Sequence, residues 1–380
     1  MAALSATTFA LAALALAAPL ASASRPVSNV HLALSSDPTR MFVQWTSAQG
    51  DVLGAGDSTV QWGASPRALT SSAAGSNFSY VDPSSSRKYT FNSATLTGLA
   101  PGATYFYRVG SELDGWSAVN NFVATRTAAQ ITPEAPLRIA WFGDLGWLYA
   151  QSLPYIQTEA SQGAFDHVVH VGDYAYDLQD GNGVWGDEFQ ASIEPITSST
   201  PYMGCEGNHE GAMDFGHYST RFAVFAGDNT SGATPNITGL YPGPNNVSRA
   251  GVVASLRAAP QHRLKPPCAS PPSTPPPQHW YTYSVGPVFF AVMSTEAYFF
   301  YNGVAQQYEF LDAQLAAVDR SATPWVVVYG HRSIYCSCDT DCDGAATTVR
   351  LGPKGDGVYG METLFAKHKV DLFINGHEHE

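Results

Sequence analysis

The chain has 380 residues, with 44% hydrophobic and 12% aromatic content, which is enough apolar material to bury a core in more than one domain. Its formal net charge is −13, and the sequence contains no block of like charges. An acidic net charge without a basic block gives no positively charged surface of the kind that binds nucleic acids or anionic membranes. We therefore expect neither a nucleic-acid partner nor a membrane partner.

Residues 1–24 form an alanine-rich apolar run that contains no acid and ends in small residues. We interpret the run as a secretory signal peptide rather than a membrane anchor, because it is short and is broken by Pro19. Secretion, or delivery to a lysosome or vacuole, is the expected localisation. Four glycosylation sequons agree with export, and they lie at Asn77, Asn229, Asn236 and Asn246.

Five cysteines are too few for a disulfide scaffold. The stretch CSCDTDC, residues 336–342, predicts one disulfide in an oxidising compartment and leaves at least one thiol over. A cysteine zinc site is the rival interpretation of this stretch.

Residues 25–128 read as short alternating runs separated by turn residues, for example VHLALS, MFVQWTS and TYFYRVGS. This pattern predicts an all-β sandwich without helices. A polar segment that contains proline then separates this region from the remainder of the chain.

Residues 137–380 follow a different pattern, in which compact apolar runs such as LRIAWFGD and TPWVVVYGH alternate with helical stretches such as QYEFLDAQLAAVDR. Continuous apolar runs indicate strands that are covered on both faces, so we predict a layered α/β domain. Residues 247–279 are rich in proline and fit neither pattern, and we interpret them as an insertion.

Five segments of this second region place a glycine directly before a residue that can bind a metal. Parallel strands present their carboxyl ends at one edge of a sheet, and glycine lets the backbone turn sharply there. We therefore expect these residues to converge at one edge. They are Asp144, Asp173, Asn208, His331 and His377.

The ordered motifs GDLG, GDYAY, GNHE, VVVYGH and GHEH resemble those of the purple acid phosphatases, which belong to the calcineurin-like metallophosphatases. Tyr176 is the most specific element, because other metallophosphatases generally lack this tyrosine. The stretch LTGLAPGATYFYRV looks like the fibronectin type III-like domain of the long form of the family. In that family further strands follow GHxH, so the resemblance implies a catalytic domain truncated at its C-terminus, at Glu380.

The resemblance implies a binuclear metal centre. It places Fe³⁺ between Asp144, Tyr176 and His379, and Zn²⁺, Mn²⁺ or Fe²⁺ between Asn208, His331 and His377. Asp173 would bridge the two ions. Anionic carboxylate and phenolate ligands suit Fe³⁺, whereas neutral amide and imidazole ligands suit the divalent ion.

The function implied is that of an acid phosphatase that hydrolyses small phosphate monoesters through attack of a metal-bound hydroxide. His209 would be catalytic, and Asn208, His209 and Arg332 would contact the substrate. Two alternatives stay open: a phosphodiesterase or nucleotide pyrophosphatase with the same centre, and a catalytically inactive, truncated binding protein. The substrate and the oligomeric state are not predicted.

Overall fold

The computed structural model describes residues 27–47, 58–85, 87–112, 115–228, 279–300, 303–337 and 340–379. The predicted signal peptide, the sequons at Asn229, Asn236 and Asn246, and the proline-rich segment apart from His279 lie outside these ranges. The sequon at Asn77 falls inside a strand, and its glycosylation stays a prediction.

The described part of the N-terminal region forms nine strands in two antiparallel sheets, ordered β1-β2-β6-β5 and β4-β3-β7-β8, with β9 also paired to β7. No α-helix occurs between residues 27 and 127 in the parts that are described. The strands are β1 (Val27–Leu34), β2 (Met41–Ser47), β3 (Thr59–Gly63), β4 (Ser71–Ala74), β5 (Ser76–Val81), β6 (Lys88–Leu96), β7 (Thr104–Ser111), β8 (Gly115–Trp116) and β9 (Asn120–Val123).

These two sheets bury a shared apolar core. The indole of Trp45 is 1% exposed, and Val60 and Val109 from the opposite sheet are fully buried. Tyr105 accepts a hydrogen bond from the backbone N–H of Ala100 at 2.9 Å through its hydroxyl group. The predicted β sandwich is therefore confirmed, whereas the exact limits of the two predicted domains stay a prediction.

The second region contains two further sheets with helices outside them. Its strands are β10 (Ile139–Phe142), β11 (His167–Val171), β12 (Tyr202–Cys205), β13 (Tyr281–Val285), β14 (Val288–Val292), β15 (Trp325–Tyr329) and β16 (Leu372–Ile374). Its helices are α1 (Leu153–Ser161), α2 (Val184–Thr197), α3 (Gly216–Arg221), α4 (Val304–Ala316), α5 (Thr340–Leu351) and α6 (Met361–His368).

One sheet has the order β10-β11-β12 with parallel pairing, and the other has the order β13-β14-β15-β16, in which the last three strands are parallel. The sheets pack face to face. The ring of Trp141 in β10 lies 5.5 Å from that of Tyr329 in β15, and the ring of His167 in β11 lies 5.7 Å from that of Phe290 in β14. Apolar residues of α4, α5 and α6 cover the outer face of the second sheet. The predicted layered α/β fold is confirmed.

Helix α4 matches its sequence pattern, because Leu311 and Leu315, four positions apart, are its buried apolar residues. Helix α5 was not predicted, since it begins in a polar stretch that reads as a turn. A disulfide joins Cys336 to Cys342 beside this helix, as predicted for CSCDTDC, and Cys205 is a buried free thiol. Within the described ranges, no helix has the length and apolar character needed to cross a bilayer.

The N-terminal sandwich packs directly on the α/β region through polar and apolar contacts. The side chain of His31 in β1 lies 2.8 Å from the carbonyl oxygen of Tyr202, and the Tyr107 hydroxyl group donates to the carbonyl oxygen of Ser198 at 2.7 Å. Arg221 of α3 is 1% exposed and lies over the ring of Tyr89 at 4.9 Å. The two regions therefore share a buried interface.

Candidate metal centre

Five strands of the α/β region end at one edge of the two facing sheets, and the predicted metal ligands follow these ends. Asp144 follows β10, Asp173 follows β11, and Asn208 follows β12. His331 and His377 follow β15 and β16 in the opposite sheet. The structure thus brings together residues that are as much as 235 positions apart in the chain.

The backbone at four of the predicted ligands is left-handed. The φ angles are 55° at Asp144, 54° at Asp173, 49° at Tyr176 and 73° at His377. Such angles are uncommon for residues other than glycine, and they cluster at functional sites because surrounding contacts must hold them in place. This strain marks the edge as a site built for more than folding.

Glycines let the ligand-bearing segments approach one another closely. A methyl group at Gly207 would lie 2.2 Å from Asp173 Oδ1, and a methyl group at Gly376 would lie 2.6 Å from Asp144 Oδ2. Both distances are shorter than any allowed contact, so the site requires glycine at these positions.

Asp144, Tyr176 and His379 form the first cluster. The Tyr176 hydroxyl group lies 3.0 Å from Asp144 Oδ1 and 2.9 Å from His379 Nε2. His379 Nε2 in turn lies 3.1 Å from Asp144 Oδ1. The other carboxylate oxygen of Asp144 accepts a hydrogen bond from the backbone N–H of His377 at 2.8 Å, which ties the β10 and β16 ends together.

The second cluster contains Asn208, His331 and His377, with Asp173 beside it. His331 Nε2 lies 3.0 Å from Asn208 Oδ1, 3.0 Å from His377 Nδ1 and 3.4 Å from Asp173 Oδ2. Ligand atoms of Asp173, His331 and His377 all lie within 4.8 Å of one another, a spacing that can hold a metal ion.

The tautomer of His331 decides what this second cluster can bind. His331 Nδ1 lies 2.8 Å from the carbonyl oxygen of Val171, so Nδ1 carries a hydrogen and donates it. In the neutral ring, Nε2 then presents a lone pair, and it faces the oxygens of Asn208 and Asp173. A ring lone pair beside a carboxylate oxygen and an amide oxygen is a set of ligand atoms that suits a cation.

The pKa values of the two histidines in this cluster also favour the binding of a cation. Burial lowers the pKa of His331, but the Asp173 carboxylate outweighs burial and raises that pKa to about 10. A position that attracts a proton this strongly also attracts a metal cation, and the two compete. Burial and the nearby charge of Arg332 lower the pKa of His377 to about 3, which keeps its ring neutral and able to bind a metal.

Tyr176 shows what the first cluster requires. Burial and the Asp144 carboxylate raise the pKa of its phenol well above the usual range, so the phenol stays protonated unless a cation offsets the acids around it. Carboxylate and phenolate ligands suit a trivalent cation. The donor sets of both clusters therefore fit metal ions.

His209 lies beside both clusters, and a residue that the sequence analysis did not single out orients it. Its Nδ1 lies 2.6 Å from Asp177 Oδ1, and its Nε2 lies 3.9 Å from Asp173 Oδ2. Burial lowers the pKa of His209, but the contact with Asp177 and the charge of Asp173 together raise it to about 9.

Arg332 also reaches the centre, and a second residue that was missed fixes its orientation, while the predicted contact of Arg332 with the substrate stays a prediction. Glu296 is fully buried and contacts the guanidinium at two points, 2.8 Å from Nε and 3.0 Å from an Nη atom. The other Nη atom lies 3.0 Å from His377 Nε2. The guanidinium is therefore held with one edge facing the metal ligands.

Glu210 is a third residue that the sequence analysis left without a role. Its carboxylate is 2% exposed and accepts hydrogen bonds from the backbone N–H groups of Asp173, Tyr174 and Gly207 at 2.9 to 3.0 Å. It joins the loops after β11 and β12. Glu210 stands in the GNHE motif itself, so that motif was the available signal.

Comparison with known proteins agrees with this geometry. The family model for calcineurin-like phosphoesterases matches residues 137–380, and the model for the N-terminal domain of purple acid phosphatases matches residues 27–124. The fold and the site are therefore those of a metallophosphatase. Within that class, the chain belongs to the purple acid phosphatase family.

Human acid phosphatase type 7 is 35% identical over 92% of this chain and 69% of its own length. The probable inactive purple acid phosphatase 9 of Arabidopsis thaliana is 30% identical over 77% of this chain and 42% of its own length. A purple acid phosphatase from yellow lupin seeds has the same fold, with a TM-score of 0.63 and 23% identity over 93% of this chain. The chain covers 59% of that lupin protein.

Proposed function

We propose that this protein is an acid phosphatase that hydrolyses small phosphate monoesters at a binuclear metal centre. One observation carries the proposal: the hydrogen bond of His331 Nδ1 to a backbone carbonyl turns its Nε2 lone pair toward Asn208 and Asp173. Convergent acceptors of this kind favour the binding of a metal cation in place of a proton.

The ligand sets divide between two ions. Asp144, Tyr176 and His379 would hold Fe³⁺, while Asn208, His331 and His377 would hold Zn²⁺, Mn²⁺ or Fe²⁺, with Asp173 shared between the two. When bound, such a pair of ions supplies an activated water at acidic pH and neutralises charge on the phosphoryl oxygens.

The chain's own residues bind and orient the substrate. The Arg332 guanidinium, held by Glu296, presents an N–H edge at the centre and can donate to a phosphoryl oxygen. His209 can hold a proton at Nε2, next to the shared carboxylate, for the departing alcohol. The Asn208 amide lies in the same turn as His209 and can contact the phosphate.

The disulfide and the N-terminal sequence bear on where in or outside the cell the protein is located. The disulfide between Cys336 and Cys342 and the predicted signal peptide both favour an oxidising, exported location. We therefore propose secretion, or delivery to a lysosome or vacuole, where an acid optimum is useful. A rate that stays flat from about pH 4 to 9 would argue against the Fe³⁺ assignment.

Metal content and the visible absorption spectrum test the proposal. We expect about two metals per chain and an iron–tyrosinate absorption band that Tyr176→Phe abolishes. Tyr155→Phe is the matched control, because Tyr155 is 75% exposed on α1, and it should leave the band unchanged. A folded chain without metal would favour the alternative of an inactive binding protein, a possibility raised by the relative named as probably inactive.

The ratio of rates on 4-nitrophenyl phosphate and bis(4-nitrophenyl) phosphate separates the remaining alternative. The proposal predicts faster hydrolysis of the monoester. Preference for the diester would instead identify a phosphodiesterase that uses the same centre.

A further inference from the structure

Two exposed phenylalanines follow the turn that carries Glu296. Phe299 and Phe300 are 41% and 40% exposed, and both belong to the exposed large apolar side chains of the described residues. Exposed aromatic rings that stand together next to a site often serve recognition rather than folding. Their position relative to the metal centre indicates what they recognise.

Each ring contacts a different part of the centre. The Phe299 ring lies 4.6 Å from the guanidinium carbon of Arg332, whose other side reaches His377. The Phe300 ring lies against the backbone of Gly211, where an added methyl group would be 3.0 Å from two ring atoms. Gly211 closes the turn that begins at Asn208. The two rings therefore form a shelf, Phe299–Phe300, beside the place where the phosphoryl group would bind.

The charge of the shelf limits what it can bind. Arg332, the cation next to it, already has its charge balanced by the buried carboxylate of Glu296. A second or third phosphate on the substrate would find little compensation at this rim. Flat apolar groups, by contrast, gain from contact with the exposed ring faces.

We propose that Phe299 and Phe300 form the leaving-group subsite of this centre and select phosphate monoesters of aromatic alcohols, such as phenyl phosphate or a phosphotyrosine side chain. The proposal rests on the proposed phosphatase function. The phosphate lies toward the metal ligands and Arg332, and the aromatic group of the ester lies on the shelf.

Binding of unreactive analogues tests the shelf apart from catalysis. The metal-loaded full chain is titrated calorimetrically with phenylphosphonate and with methylphosphonate, and the double variant F299L/F300L is compared with the wild type. We expect the Kd for phenylphosphonate to rise about 3- to 10-fold and that for methylphosphonate to change less than about 2-fold. Leucine retains the apolar volume but removes the ring faces.

Trp325→Leu is the matched control. Trp325 is 57% exposed at the start of β15, opposite the edge that carries the metal ligands, so its loss should change neither Kd. The single variants F299L and F300L repeat the measurement if the double variant does not fold. Because both rings are partly exposed, we expect the singles to melt close to the wild type.

Hydrolysis rates show whether the aromatic substrate is a small ester or a phosphorylated side chain of a peptide. For the double variant, kcat/KM should fall about 3- to 10-fold on phenyl phosphate but less than about 2-fold on glycerol phosphate. An equal fall in kcat/KM on a phosphotyrosine peptide, with no fall on a matched phosphoserine peptide, would show that the subsite also accepts protein substrates. A fall on phenyl phosphate alone would restrict the subsite to small esters.

The outcomes separate the two proposals. If the wild type binds neither phosphonate and hydrolyses no monoester, the phosphatase function and the shelf both fail. If it binds both phosphonates and the double variant loses affinity for both to the same extent, the shelf alone is wrong.

Discussion

Two clusters of charged side chains in this molecule differ in how their charge is balanced. At the interface between the β sandwich and the α/β region, Asp187 lies 2.9 Å from Arg221 and 2.7 Å from Arg87. At the metal centre, Asp144 and Asp173 face a phenol, an amide and imidazoles instead. The first cluster is complete without a ligand, whereas the second becomes stable only with added positive charge.

A second acid at the interface, Asp82, also has its charge balanced by protein groups. Asp82 is fully buried, and its carboxylate lies 3.4 Å from His217 of α3 and accepts two hydrogen bonds from Ser84. These partners outweigh burial and hold the pKa of Asp82 well below its usual range. Asp173 also accepts a hydrogen bond, from the backbone N–H of His209 at 3.0 Å, but its other neighbours are side chains that can bind a metal.

The largest expected effect comes from removing the shared carboxylate of the centre. Asp173→Asn should lower the metal content below one per chain and reduce activity by at least about 1,000-fold, which corresponds to about 4 kcal/mol of transition-state stabilisation. Mass spectrometry of metals and steady-state rates measure both. Asp312→Asn removes an acid from an outlying ion pair with Lys367 and should keep both metals. Full metal content in Asp173→Asn would contradict the assignment.

Breaking the balanced cluster should affect the fold and leave the centre intact. Arg221→Ala leaves Gln190 and the carbonyl oxygen of Gly183 without their donor and leaves Asp187 with Arg87 alone, so we expect a loss of about 3 kcal/mol in the free energy of unfolding. Denaturation by urea measures the loss. The exposed Arg67→Ala should change stability by less than about 0.5 kcal/mol. Loss of metal from folded Arg221→Ala protein would show that the two clusters are coupled.

His167 is a buried histidine whose ring nitrogens have no hydrogen-bond partner among the described residues, and its pKa makes stability depend on pH. Burial lowers the pKa of His167 to about 4, below the value of about 6.5 in an unfolded chain. The unfolded chain therefore binds more protons between pH 6.5 and 4, and stability is lost as the pH falls through this window. His167→Phe should remove this loss, which amounts to about 2 kcal/mol at pH 5.

Urea denaturation at pH 7 and at pH 5 gives this pH dependence. Tyr283→Phe, which alters a ring packed against His167, is the control and should keep the wild-type dependence. An unchanged loss of stability in His167→Phe would mean that other groups account for it.

The smallest effect is expected at the residue that orients His209. Asp177→Asn should lower kcat about 10-fold, because the imidazole loses its charged partner but the metal ligands remain. Metal content should stay at the wild-type level. A parallel loss of metal would instead show that Asp177 supports the centre as a whole.

The sequence allowed prediction of the fold and of which residues meet at the strand ends, because five of the predicted ligands come directly after a glycine near the end of an apolar run. It did not allow prediction of Glu296, whose role depends on a contact with Arg332, 36 positions away in the chain. The interface of His217 and Arg221 was missed for a similar reason. Asp82, which lies beside His217, and the Tyr89 ring, which lies beside Arg221, belong to the N-terminal domain, and no periodic pattern reports packing between domains.

The separation of Asp144 and His379 in the sequence determines how long after the first ligand the last one is synthesised. The 235 positions between them take roughly 10 to 50 s to translate at about 5 to 20 residues per second. Until the end of that interval the nascent chain lacks His377 and His379, which complete the two clusters. Loading of the proposed centre would therefore be a late event, and it would report that the last ligand-bearing strand has joined its sheet.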